Sequence, residues 1–274
     1  MATFTATTGD SRADATTGTL INFTGGTVAE LTDNVGDIFI AGQGFGSVTV
    51  IAGGGDDDLR GGMGDDTLRG GAGKDVLDGG TQGHDTADYR DKTTSVVVTL
   101  NGSTNAVVFV DGVAEDTIRN IQDVTGGSGN DRLTGDAHGN VLLGGAGDDI
   151  LKGGAGRDVF YGGEGVDTLD YSDERVSVVL ALSDGPIFAS ATVGDIVEGV
   201  VDIENVVGGS GDDSLTGNSS ANALDGGAGV DLVDYSNKTS SVVVALKGAT
   251  NSVVTVGGVA EDVIRNFENV IGGS

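Results

Sequence analysis

The chain repeats itself every nine residues, and that period constrains its fold more than any other feature. From Gly61 it reads GGMGDDTLR, then GGAGKDVLD from Gly70. The nine before, Ala52 to Arg60, read AGGGDDDLR in the same frame, and Gly79 to Asp88 is a fourth unit with one extra residue. A second block starts at Gly126 with GGSGNDRLT, then GDAHGNVLL, GGAGDDILK, GGAGRDVFY and GGEGVDTLD. A third starts at Gly208 with GGSGDDSLT, GNSSANALD and GGAGVDLVD. The pattern G-G-x-G-x-D-x-U-x, with U a large aliphatic residue, keeps one frame through 45 residues, Gly126 to Asp170. A short fixed period of this kind is the mark of a solenoid, whose units bury their apolar faces only against neighbours.

Each position has a physical reason. Glycines at positions 1, 2 and 4 permit positive φ and close backbone approach, so GGxGxD is a tight turn. The position-6 aspartate sets a carboxylate beside turn carbonyls, an all-oxygen environment suited to a hard cation such as Ca²⁺. The x-U-x segment is a minimal strand with U inward. Two nonapeptides then close one coil, and aspartates 18 residues apart stack on one edge.

Composition agrees. Glycine supplies 51 residues against one proline, without a collagen triplet, and aromatics are 4 % with no tryptophan. That suits thin stacked strands rather than a thick globular core. The net charge of −28, from 42 acidic and 14 basic residues, excludes nucleic acid as a partner and disfavours anionic membranes. Without cysteine there is neither disulfide nor thiolate metal site. The polar stretch Met1 to Asp10 has no signal-peptide pattern, and no segment reads as a transmembrane span, so no membrane insertion is expected.

The motif resembles that of the RTX (repeat-in-toxin) family of calcium-binding nonapeptide repeats, which type I systems secrete. The resemblance implies an all-β fold, a parallel β-roll or β-helix solenoid with Ca²⁺ between successive turns. It implies about five to eight ions. It also implies how each ion is held: one turn gives its Asp and the carbonyls of positions 2 and 4, and the turn 18 residues on gives its Asp and the carbonyls of positions 1 and 3. On this sequence Gly53, Gly55 and Asp57 would share an ion with Gly70, Ala72 and Asp75. Gly62, Gly64 and Asp66 would pair with Gly79, Thr81 and Asp85 across the inserted residue. Gly127, Gly129 and Asp131 would face Gly144, Ala146 and Asp149. Gly145, Gly147 and Asp149 would face Gly162, Glu164 and Asp167. Gly209, Gly211 and Asp213 would face Gly226, Ala228 and Asp231. A weaker site would set Asp136, His138 and Asn140 against Gly153, Ala155 and Asp158, with Asn140 a neutral oxygen ligand; Asn222 replaces aspartate in the same way.

Outside the blocks the pattern changes. The nine-residue rhythm runs upstream through Leu31, Ile40 and Val50, with Ile38 and Val48 at the aspartate positions. Residues 1–51 thus read as an N-terminal cap (1–19) followed by calcium-free coils. Blocks at 52–88, 126–170 and 208–234 alternate with 37-residue spacers, Tyr89 to Thr125, Tyr171 to Val207 and Tyr235 to Ile271. The first and third are near copies: SVVVTL at Ser95 returns as SVVVAL at Ser241, and GVAEDTIRN at Gly112 as GVAEDVIRN at Gly258. Equal length points to wider coils of one continuous solenoid, without obvious metal. Tyr89, Tyr171 and Tyr235 are expected to pack where the coil widens, the alternative being a sugar-binding ladder. The close of the chain over 235–274, ending Ile271-Gly272-Gly273-Ser274, opens a further nonapeptide. No C-terminal export signal is recognisable, so a truncated or processed product is expected, or an end completed by another molecule.

No catalytic constellation is present: His84 and His138 sit in turns, and there is no HExxH, GxSxG or P-loop. The chain is expected not to be an enzyme. A structural or adhesive surface protein, such as an S-layer, biofilm or filament component, needs only a rigid calcium-folded solenoid that self-associates end to end or in a lattice. The alternatives are the calcium-binding module of a longer secreted RTX enzyme, or a pore-forming protein. In all three the chain is extracellular and calcium is its partner.

Overall fold

The computed structural model describes residues 36–41, 46–184 and 189–273, with the backbone of three earlier strands, Thr3–Ala6, Leu20–Phe23 and Val28–Glu30. Every regular element among the described residues is a β-strand. Two compact units, Met1–Leu142 and Leu143–Ser274, divide the chain.

In the first unit the nonapeptide does what its spacing dictates. Each x-U-x becomes a strand, and each 18-residue coil places one strand in each of two sheets. Asp58–Met63 pairs in parallel with Val76–Gln82, setting Leu59 opposite Leu77. Thr67–Arg69 pairs in parallel with Thr86–Asp88, setting Leu68 opposite Ala87. The U side chains Leu59, Leu68 and Leu77 are fully buried, while their strand neighbours are not. Each contributes about 1.5–3 kcal/mol by leaving water, and the stack of them is the core.

The coils do begin upstream of the glycine repeats. Leu20–Phe23 pairs in parallel with Ile38–Ala41, and Val28–Glu30 with Thr49–Ile51. The frame there lies one residue before the expected position and two before a strict nine-residue count. Phe39, not Ile40, faces Leu59 and is buried, and Asp37, not Ile38, stands in line with Asp57. The cause is a coil of 20 residues between Asp37 and Asp57, where the next coil on that column, Asp57 to Asp75, has 18. Val48 does hold the expected place, 18 residues before Asp66. Leu31 and residues 7–19 lie outside the described residues.

The spacers are not simply wider coils. In the first, Val96–Thr99, Ala106–Val110 and Val113–Arg119 form an antiparallel meander within one sheet. Its third strand pairs in parallel with the preceding coil, Ile118 opposite Leu77, and its first with the following one, Val98 opposite Leu133. The chain therefore advances, doubles back twice and resumes. The reversals have a local cause: Asp111 (φ 51°) and Gly112 (φ 74°) form a two-residue turn joining Val110 to Val113, the Asp-Gly hairpin signal. In the second unit the same meander recurs twice, as Val178–Ala181, Ala189–Val193 and Ile196–Val201, and as Val242–Val243, Ser252–Val256 and Val259–Arg265. These two lie in opposite sheets. Three nonapeptides separate them, and each nonapeptide carries the chain across to the other sheet, so an odd number reverses the side.

Candidate metal centre

The turns of successive coils stack so that carboxylates line up in a column. Oδ1 of each position-6 aspartate accepts the backbone N–H of the position-6 residue one coil earlier: Asp57 to Asp75 at 2.8 Å, Asp66 to Asp85 at 2.9 Å, Asp149 to Asp167 at 2.8 Å and Asp213 to Asp231 at 2.8 Å. The position-5 aspartates staple the turns in the other sense. Asp56 accepts from Lys74 at 2.8 Å, and Asp148 from Val166 at 3.0 Å. Oδ2 of Asp66, Asp75, Asp167 and Asp231 is then left buried with no hydrogen-bond partner.

The glycines close the rest of the cradle. A Cβ on Gly70 would lie 2.1 Å from Asp75 Oδ2, so position 1 must be bare for the carboxylate to turn inward. A Cβ on Gly73, at φ 133°, would lie 1.9 Å from the Gly55 carbonyl oxygen. The position-2 and position-4 carbonyls are thus directed onto the next turn at close range. At position 2, Gly53 accepts the Ala72 N–H at 3.0 Å and Gly209 that of Ala228 at 2.9 Å, while in the return sense the position-3 carbonyl of Glu164 accepts the Gly147 N–H at 2.7 Å. Among the described residues no three acidic or histidine side chains converge on one point. An ion here would take one or two carboxylates and otherwise backbone carbonyls, a set that suits Ca²⁺. Gly73→Ala is expected to destabilise the fold by about 2–4 kcal/mol. Thermal melting in saturating calcium checks this; an unchanged midpoint would mean the turn is not held in this register.

Electrostatics separate these acids from ordinary paired ones. Burial pushes Asp66, Asp75, Asp167 and Asp231 each up to about 6, and Asp85 to about 7. Burial acts on Asp88 as well, but Arg90 and Arg69, at 2.8 and 2.6 Å, outweigh it and hold its carboxyl below the usual carboxylate range. No cation is among the causes acting on Asp66, Asp85, Asp167 and Asp231. Burial therefore disfavours their ionised form.

The expected pairs are placed as follows. Gly53, Gly55 and Asp57 meet Gly70, Ala72 and Asp75; Gly145, Gly147 and Asp149 meet Gly162, Glu164 and Asp167; Gly209, Gly211 and Asp213 meet Gly226, Ala228 and Asp231. Gly62, Gly64 and Asp66 meet Gly79 and Asp85, but Gln82, not Thr81, takes position 3, opposite Met63, because a bulge absorbs the inserted residue just before it. Gly127, Gly129, Asp131 and Asn140 lie in the first unit, and Gly144, Ala146, Asp149, Gly153, Ala155 and Asp158 in the second. Asp131 and Asp213, first after a spacer, each use both oxygens on backbone N–H groups. Asn140 closes its turn through its own amide, Oδ1 accepting from Asp136 and Nδ2 donating to the Gln122 carbonyl at 2.7 Å. Asn222 does the same with Asn218 and Glu204. At Asn222 the amide oxygen takes the place beside the position-1 glycine that Oδ2 holds in the aspartate turns. His138 is exposed and leans on Asp136. Tyr89, Tyr171 and Tyr235 are buried, so they pack and offer no sugar-stacking face.

The nonapeptide consensus does not mark every member of the columns. Asp37 is one. Asp116 is another: it accepts the Asp75 N–H at 2.9 Å across 41 residues, and burial pushes it to about 7. Asp262 and Glu198 hold the corresponding places in the other spacers. Each spacer also ends in a shortened turn. Gln122, Glu204 and Glu268 accept the N–H groups of Asp85, Asp167 and Asp231. Asn120, Asp202 and Asn266, all at positive φ, bring carbonyls against Gly79, Gly162 and Gly226. The spacers, expected to hold no obvious metal, therefore continue the columns of carboxylates. The recurring I-Q-D-V, I-E-N-V and F-E-N-V endings were the visible signal.

Comparison with known proteins agrees with this geometry. The family described as the RTX calcium-binding nonapeptide repeat matches in four copies, over residues 51–86, 123–149, 134–169 and 198–233. No curated protein sequence matches the chain. Among solved structures, the extracellular lipase LipA from Serratia marcescens is similar at 15 % identity and a TM-score of 0.29, over 92 % of this chain. The chain spans 43 % of the length of that protein. A superposition that loose leaves the fold to be read from the chain's own strand register. With its repeats stacked in parallel and the aspartates in columns, this chain carries RTX calcium-binding nonapeptide repeats in four matched copies.

Proposed function

We propose that the chain is a calcium-folded structural or adhesive element of a cell surface, secreted before it folds. The observation that carries the reading is the column of buried aspartates, in which Oδ2 of Asp66, Asp167 and Asp231 has no hydrogen-bond partner. Such a column opposes folding where Ca²⁺ is scarce and supports it at the roughly 10⁻⁴–10⁻³ M range of extracellular calcium modules. Secretion in the unfolded state follows from the same balance. The exposed faces of the meanders favour association: Val107 and Phe109 in the first, Val243 and Val253 in the third, stand 41–63 % exposed where polar residues would normally alternate. Electron microscopy and light scattering of the purified chain, with and without calcium, test this. Calcium-dependent filaments or sheets are the expected result; monomers at all calcium concentrations would sink the structural role. The second reading, a calcium module of a longer secreted enzyme, would then stand.

A further inference from the structure

We infer that Lys92 and Lys238 are tethered cations that take the place of a calcium ion where a nonapeptide turn meets the first and third spacers. In the first unit the last turn on one column is Gly70 to Asp75, and the next carboxylate along it is Asp116, from the third meander strand. The interval between them has the oxygens of a calcium site: the position-2 carbonyl of Gly71, and buried Oδ2 atoms of Asp75 and Asp116 without hydrogen-bond partners. An ammonium group is already there. Lys92 Nζ donates to the Gly71 carbonyl at 2.5 Å and pairs with Glu115, their side chains 11 % and 21 % exposed. A backbone turn fixes it, with the Lys92 N–H on the Tyr89 carbonyl at 2.9 Å and the Ser128 N–H on the Lys92 carbonyl at 3.0 Å.

The third spacer repeats the arrangement in the second unit. Lys238 Nζ donates to the position-2 carbonyl of Asn218 at 2.6 Å and pairs with Glu261, beside Asp262, which accepts the Asn222 N–H at 2.9 Å. The middle spacer supplies a comparison inside the same chain. It keeps the backbone turn, Glu174 N–H to Tyr171 at 2.9 Å, but has Glu174 in place of the lysine and Val197 in place of its glutamate partner. Its column acid, Glu198, accepts from the Tyr171 hydroxyl at 2.7 Å, as Tyr89 and Tyr235 stand against Asp116 and Asp262 in the other two spacers. The lysine and its glutamate are thus present together or absent together. A tethered ammonium needs no free ion, while burying it unpaired would be costly. The columns therefore end, at these two points, on a cation that does not depend on calcium.

This inference rests on the columns being calcium sites, so the wild-type chain is titrated in the same experiment. Lys92→Met keeps the stem and removes the charge, opening the oxygen set. By isothermal titration calorimetry with CaCl₂, K92M is expected to take up one more ion per chain than wild type, and its thermal midpoint to vary more steeply with calcium. K238M should also gain one, and the double variant two. K92R, which keeps the charge, should retain the wild-type stoichiometry. Equal uptake by K92M and wild type, or an extra ion in K92R as well, would overturn the inference. So would a K92M chain that fails to fold in saturating calcium, since calcium would then be unable to replace the lysine. A wild-type chain that binds no calcium would instead sink the column reading, a result told apart by its control.

Discussion

Excess EGTA at about neutral pH is expected to abolish most of the β-sheet circular dichroism, and re-added calcium to restore it. Without calcium, Asp66, Asp167 and Asp231 must each keep a buried carboxylate oxygen that has no hydrogen-bond partner. An uncompensated buried charge costs several kcal/mol, and neighbouring carboxylates about one strand spacing apart add repulsion. The 51 glycines raise the entropy lost on folding. The aliphatic stacks oppose these terms but are thin, with one inward side chain per strand. Calcium at about 100 times its dissociation constant contributes about 2.7 kcal/mol per occupied site. Several sites thus rival the whole stability of an ordinary domain, about 5–15 kcal/mol. A spectrum indifferent to EGTA would mean that the aliphatic stack alone holds the coils.

In the absence of calcium, acid is expected to rescue the fold. Burial raises Asp66, Asp75, Asp167 and Asp231 to about 6 and Asp85 and Asp116 to about 7, from an ordinary value near 3.8. A carboxyl raised on folding binds its proton more tightly in the folded state. Its contribution is fully present below about pH 4 and is lost as pH rises through about 6–7. Each tenfold gain in proton affinity is worth about 1.4 kcal/mol. Discounting for solvent reaching the turns, these carboxyls together give several kcal/mol. With calcium bound the sign reverses, because the ligating carboxylates must be ionised and acid then competes with the metal. Thermal melts at about pH 4.5 and 7.5 check both halves. The chelated chain should melt higher at the acid pH and the calcium-loaded chain lower. Parallel pH profiles for the two would show that the column acids neither lose charge on folding nor hold the ion.

Much of this was legible in the residues. The nine-residue frame gives the strand, the inward leucine and the aspartate column directly, because each nonapeptide contacts its copy 18 residues on and needs no distant partner. The count fails where that locality fails. Two extra residues between Asp37 and Asp57 shift the frame by two from a strict count. One inserted residue replaces Thr81 by Gln82. Asp116 joins the column across 41 residues, a distance set by two chain reversals and not by any period. The Asp111-Gly112 hairpin signal was present, but equal spacer length pointed as readily to a wider coil.

The sequence by itself determined the parallel roll and its two-sheet coil, since glycine at three positions admits the tight turn and the aliphatic residue at the eighth must point inward, once in every nine. Only the tertiary structure decided where the columns run on and where they stop. A meander brings together residues that share no periodicity, so Asp116 can join the aspartates and Lys92 can stand against the Gly71 carbonyl. That juxtaposition follows from antiparallel pairing across a spacer, which no count of nine contains.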